Sequence, residues 1–244
     1  MAFGATIRGF LNCIRPVLIV DVTHLRDKYS GKLLLATRVD GNNQIYQVAF
    51  DISSGETDES WVWFLQQLRC AIGQVHDLVI VSDRHPSIKK AIITVFPEAF
   101  YGICIHHLKA NLLVNFKNKD IFDIFDKSAK ASRESVFKYH WSQFAGYPGA
   151  CKYLEDIGLE RWARVYQCNR RYNQMTKNLA ECINGVLKDA RRLPITSFLD
   201  HIRGWLQDLY YRRRTEASNS TSRLSDYVMT IIRDAVDKAS RYEV

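Results

Sequence analysis

Two aspartates stand at matching places in two apolar runs: Asp21 follows Val17-Leu18-Ile19-Val20, and Asp83 follows Val79-Ile80-Val81-Ser82. Short continuous apolar runs are what strands buried on both faces look like, so each carboxylate is expected to end a strand. If those strands lie parallel and adjacent, the carboxylates become neighbours across about 5 Å. That is the carboxyl edge where open α/β sheets place their ligands. Alone, either aspartate is an ordinary turn or helix-cap residue. Together they repel, and a divalent cation relieves the repulsion. Ligation by oxygen alone selects Mg²⁺ or Mn²⁺.

A third acid lies far along the chain. Over 176–191 the spacing predicts a helix whose buried stripe is Leu179, Ile183, Val186, Leu187 and Ala190. The opposite face carries Lys177, Asn178, Glu181, Asn184 and Lys188. Glu181 among amides and cations suits a metal ligand beside a phosphate backbone. It equally suits an exposed glutamate in i,i+4 pairs with its lysines, and periodicity does not separate the two.

The elements that must position these residues can be read from the pattern. Strands are predicted at Val17 to Val20, Leu33 to Val39 and Ile45 to Phe50, the last two joined by the turn Asp40-Gly41-Asn42-Asn43. Thr57-Asp58-Glu59 opens a helix with Trp61, Leu65, Leu68 and Ile72 inside, and Gly73 closes it. A fourth strand (Leu78 to Val81), a helix with Ile88 and Ile92 that stops at Pro97, a fifth strand near 100–103 and a helix with Leu108 and Leu112 follow. Beyond Phe116 the pattern is helical: 119–131, 134–145, 148–157, 176–191, 195–214 and 222–238. Residues 1–16 read as the entry to the first strand.

Composition narrows the class. The 244 residues are 47% hydrophobic and 12% aromatic, which argues against disorder, and the longest apolar runs are far too short to span a membrane. The net charge is +8. Between Arg161 and Arg214 stand twelve basic residues and four acids, so this segment alone carries the surplus. Aromatic residues are interleaved with it, as on nucleic-acid surfaces. The six cysteines are dispersed without paired spacing, which fits free thiols in a reducing compartment.

Several motifs in order resemble the catalytic core of plant Mutator-like (MULE) transposases. They are the stretch Phe10 to Leu25, Lys28-Tyr29-Ser30-Gly31, Glu59-Ser60-Trp61-Val62-Trp63-Phe64-Leu65, Ser82-Asp83-Arg84-His85-Pro86-Ser87-Ile88, Phe96-Pro97, Cys104-Ile105-His106-His107-Leu108 and Asn178 to Asn184. The resemblance covers roughly residues 10–205. It departs from the family pattern at Val22, where glycine is usual, and at Arg26-Asp27, where Lys-Gly is common.

The resemblance implies an α/β, RNase H-like fold: a mixed five-stranded sheet with helices, followed by a helical insertion and C-terminal helices. The corresponding divisions are 10–117, 118–175, 176–215 and 216–244. The family's acidic triad falls on Asp21, Asp83 and Glu181, which would hold two Mg²⁺ or Mn²⁺ ions for DNA strand cleavage and transfer. Its Cys-x-x-His element falls on Cys104 and His107. A zinc site there is not expected, because no second pair follows at finger-like spacing. Arg84, His85, His107, Lys177, Lys188, Arg191 and Arg192 are candidate DNA contacts.

The expected partner is double-stranded DNA, as transposon ends and target, with a homo-oligomer, no membrane and a nuclear location. The chain reads as a core without its own end-recognition domain. Two alternatives remain: a domesticated or truncated transposase-derived DNA-binding regulator without catalysis, and a cellular RNase H-like nuclease.

Overall fold

In a computed structural model, residues 1–25, 31–167, 183 and 185–242 are described. Helix α1 (Gly4–Cys13) leads into β1 (Val17–His24), β2 (Lys32–Val39) and β3 (Ile45–Ser53). Then come α2 (Asp58–Ile72), β4 (Val79–Ser82), α3 (Pro86–Val95), β5 (Phe100–Ile103) and α4 (Ile105–Phe116). The helical continuation is α5 (Lys119–Lys130), α6 (Glu134–Ser142), α7 (Pro148–Ile157), α8 (Ile195–Asn219) and α9 (Asp226–Ala239), with short 3-10 turns between. No helix among the described residues is long and apolar enough to cross a membrane.

Local chemistry sets the element ends. Asp40 closes the β2–β3 turn by accepting the amides of Asn42 and Gln44 on one carboxylate oxygen, and Asn43 takes the left-handed conformation at φ 60°. Thr57 caps α2 by accepting from the Ser60 amide, and Gly73 ends it at φ 67°. Pro86 occupies the first turn of α3, where a missing N–H costs nothing.

The sheet has the order β3-β2-β1-β4-β5. β1, β2 and β3 form an antiparallel meander, and β4 and β5 run parallel to β1. That order with those directions is the RNase H-like fold. Strand period sorts the two faces. Leu18, Val20, Leu34, Ala36 and Ile80 pack with Phe10, Trp61, Phe64, Ile88 and Ile92 of α1–α3. Val17, Ile19, Val79 and Val81 face the other way with Cys104. Further along that second face, Leu33, Leu35 and Phe50 receive Ile183, Leu187, Ala190, Phe198, Ile202 and Leu206. The helices after β5 have their own core, built on Phe125, Phe137, Phe144 and Trp162.

Several expectations need correction. Residues 4–13 are helix α1, which packs Ile7 and Phe10 into the sheet. Asp21 does not end its strand, because β1 runs on to His24 through antiparallel pairing with β2. Of the predicted helix 176–191, residues 176–182 and 184 lie outside the described set. After Val186 the chain turns, and Ala190–Arg192 is a 3-10 turn. Val186, predicted inside, is 45% exposed. Helix α8 continues to Asn219, so the expected division at 215/216 falls inside it.

Candidate active site

The parallel register of β1 and β4 pairs Val17 with Val79, Leu18 with Ile80 and Ile19 with Val81. Two residues further on, the same register sets Asp21 level with Asp83, both on the face away from α1–α3. They line a small pocket with Ile19, Ser82, Cys104, His106 and His107. α4 closes it, because Cys104 and His107 occupy its first turn immediately after β5.

Each carboxylate is held by one main-chain N–H. Asp21 Oδ1 accepts from the Val22 amide at 2.8 Å, and Asp83 Oδ1 accepts from the His85 amide at 3.0 Å. The second bond forms the turn into α3, so the helix start fixes the carboxylate. On the other side of the strand, the Ser82 and Tyr101 hydroxyls donate to the Asp83 carbonyl oxygen at 2.6 and 3.0 Å.

The electrostatics are those of a crowded acidic pocket. Burial pushes the Asp21 carboxyl up to about 6; the Val22 hydrogen bond and His107 oppose this, and the nearby Asp83 and Glu56 add to it. His107 is raised to about 9, chiefly by its hydrogen bond with Cys104, against burial and with help from Asp21 and Asp83. Burial pushes the Cys104 thiol up, but the contact with His107 outweighs it and holds the thiol below its ordinary value. At neutral pH a cationic imidazole therefore faces two carboxylates. Among the described residues the main-chain hydrogen bonds engage Oδ1 of each aspartate, and both side chains line the pocket. This hard-oxygen donor set fits Mg²⁺ or Mn²⁺. Among the described residues no three His, Cys, Asp or Glu side chains form a metal-holding group.

The other predicted residues are scattered. Glu181 and Lys177 lie outside the described residues. Arg84 is turned onto the helical unit, over the Tyr153 ring at 5.0 Å and donating to its hydroxyl. His85 caps α3, with Nδ1 3.7 Å from Glu56 Oε1. Lys188 and Arg192 are exposed. Arg191 is not on the surface: it is 8% exposed and donates to Thr23 Oγ1 at 3.2 Å and the His24 carbonyl at 3.3 Å. The 3-10 turn at Ala190–Arg192 rotates it inward, onto the end of β1.

Glu56 was not anticipated. It sits in the loop before α2, accepts from Trp61 Nε1 at 3.4 Å, and is felt electrostatically by Asp21. No spacing marks it, because only the folded sheet brings that loop to the β1–β4 edge.

The carboxylate pair thus stands on two adjacent strands of an RNase H-like sheet. Residues 17–111, from β1 into α4, match the family model of the MULE transposase domain. A transposase for insertion sequence element IS256 in transposon Tn4001, from Staphylococcus aureus, is 24% identical over 186 residues, covering 69% of this chain and 47% of that protein. The protein of the same name from Enterococcus faecalis matches equally. A PKS-NRPS hybrid synthetase, cheA, of Chaetomium globosum is 25% identical over 195 residues, which is 75% of this chain but 4% of that protein.

The chain thus spans about half the length of the transposases it matches. Among solved structures, the HTLV-2 integrase catalytic core domain in complex with magnesium is similar at 15% identity and a TM-score of 0.28, over 50% of this chain and 91% of that one. The family match and the transposase relatives support a MULE-type transposase core. The two transposase relatives come from bacteria, so nothing restricts the reading to plants.

Proposed function

We propose that this chain is the catalytic core of a MULE-type DDE transposase that cleaves and joins strands of double-stranded DNA. One observation carries the reading: the β1–β4 register sets Asp21 and Asp83 level on one face, inside the region that matches the transposase domain. Asp21 and Asp83 would hold divalent cation, with Glu181 as the third ligand. A pair of Mg²⁺ or Mn²⁺ ions there would supply activation of water or a 3′-hydroxyl and stabilisation of the leaving oxygen.

The chain's own residues do the rest. The Val22 and His85 amides orient the two carboxylates. Asp21 must give up its proton to bind a cation, and its raised pKa sets the pH at which it does so. His107 carries positive charge at the rim, where a DNA phosphate would approach. Lys188 and Arg192 are the exposed cations on the segment after Glu181 and would contact the backbone. A homo-oligomer goes with this role, because an element has two ends to be cut. In a eukaryotic host the place of action is the nucleus, where the DNA is.

The test is Mg²⁺- or Mn²⁺-dependent nicking of supercoiled DNA by the purified chain. The expected result is activity that disappears in Asp83→Asn; equal activity in the variant sinks the mechanism. Undiminished DNA binding with no cleavage under any metal would favour the non-enzymatic regulator instead.

A further inference from the structure

The helical unit after α4 touches both flanks of Asp83. On one flank, Arg84, the next residue, lies over the Tyr153 ring of α7 at 5.0 Å and donates to its hydroxyl. Phe116 at the end of α4 supports that ring edge-on at 5.8 Å. On the other flank, Tyr101 of β5 donates to the Asp83 carbonyl oxygen at 3.0 Å. Its hydroxyl lies 3.2 Å from that of Ser82, which donates to the same carbonyl at 2.6 Å. Arg161, from the 3-10 turn Leu159–Arg161, lies over the Tyr101 ring at 5.9 Å. β4 ends at Ser82, so Asp83 is past the last rung of its ladder.

We propose that the helical unit braces Asp83, with Tyr101, Arg161 and Tyr153 acting as positioning residues that hold its carboxylate in the orientation that receives the cation. The brace works through the backbone on both sides of the aspartate. Tyr101 and Ser82 fix the carbonyl, Arg84 is pinned to α7, and the peptide between them turns the side chain toward Asp21. Cation–aromatic contacts suit this task because they persist at a partly exposed rim where a lone hydrogen bond would compete with water. The proposal rests on reading Asp83 as a cation ligand, and its test separates the two ideas.

The direct reporter is the His85 amide, which is bonded to Asp83 Oδ1. Its hydrogen exchange would be followed by NMR in the full chain, with Asp83→Ala marking the rate when that bond is gone. Tyr101→Phe keeps the ring and deletes only the hydroxyl, Tyr153→Phe does the same for Arg84's acceptor, and Arg161→Leu removes the cation while Arg161→Lys restores it. The expected result is exchange faster by about three- to tenfold in Tyr101→Phe and Arg161→Leu, the range lost with one net hydrogen bond, with rescue in Arg161→Lys. Mn²⁺ half-saturation should rise by a similar factor in the same variants, whereas a purely structural role would lower the melting temperature without moving it. Unchanged His85 exchange in Tyr101→Phe overturns the brace whatever the metal does. If wild type and Asp83→Ala bind Mn²⁺ alike, the transposase reading fails, and the brace is decided on the amide alone.

Discussion

Around β1 and β4 the charges are few and enclosed, whereas along α8 and α9 they are many and open to water. Asp21 and Asp83 are fixed by strand register, one amide bond each and a shared pocket. By contrast, α8 buries only Phe198, Ile202 and Leu206 over 25 residues, and α9 buries none. The cations of α8 mostly meet acids: Arg203 with Asp200, Arg212 with Asp208, and Arg213 with Asp40 of the β2–β3 turn. The first two pairs are exposed, and pairs of that kind contribute little to stability. The lesson is that the number of charges in a segment does not measure their work. Asp21, whose position is forced by packing, has a raised pKa, while Arg203 and Arg212 of α8 are engaged by acids one turn away on their own helix.

The comparison breaks most visibly at the carboxylates. Asp21→Asn and Asp83→Asn should each lower DNA cleavage by at least about a hundredfold, measured by single-turnover nicking with the fold checked by circular dichroism.

Next in size is an opposite effect on stability. The folded Asp21 carboxyl titrates at about 6 against an ordinary 3.8, so the folded chain holds this proton more tightly than the unfolded one. The resulting stabilisation is complete below about pH 4 and is lost as pH rises through 6. Asp21→Asn should therefore be more stable than wild type by about 3 kcal/mol at pH 7.5 and show no such advantage at pH 4, as read by urea unfolding. A variant less stable than wild type at pH 7.5 would contradict the burial argument.

Arg191 separates inside from outside within the basic segment itself. Arg191→Met should cost about 1–3 kcal/mol, from the broken bonds to Thr23 and His24. The salt dependence of DNA binding should stay as it is, because a buried guanidinium contacts no phosphate. The smallest effects belong to the surface. Lys188→Gln and Arg192→Gln should each weaken DNA binding by about two- to fivefold and shallow the log K against log salt slope by about one. Arg212→Gln, whose charge is engaged by Asp208, should change it less.

How far the sequence was legible follows the same divide. The sheet could be read because β1 and β4 are buried on both faces and leave unbroken apolar runs, and because Asp40-Gly41-Asn42-Asn43 and Thr57 to Gly73 carry explicit turn and cap chemistry. The level pairing of Asp21 with Asp83 followed from that. Helix α1 was missed because Gly4 to Cys13 carries no side-chain cap and no acid in its first turn to announce it. Glu56, Tyr101, Tyr153 and Arg161 were invisible as neighbours of the site, since tertiary approach alone brings them there. The inward placement of Arg191 is not legible in the sequence, because charge patterning assumes that the helix continues, and the chain turns at 187–189 instead.

Titration calorimetry of Mn²⁺ into the full chain at pH 7.5, beside Asp21→Asn and Asp83→Asn, tests the central claim most directly. The account predicts a saturable isotherm for wild type that either substitution abolishes or weakens by tenfold or more. Superimposable isotherms for all three proteins would contradict it.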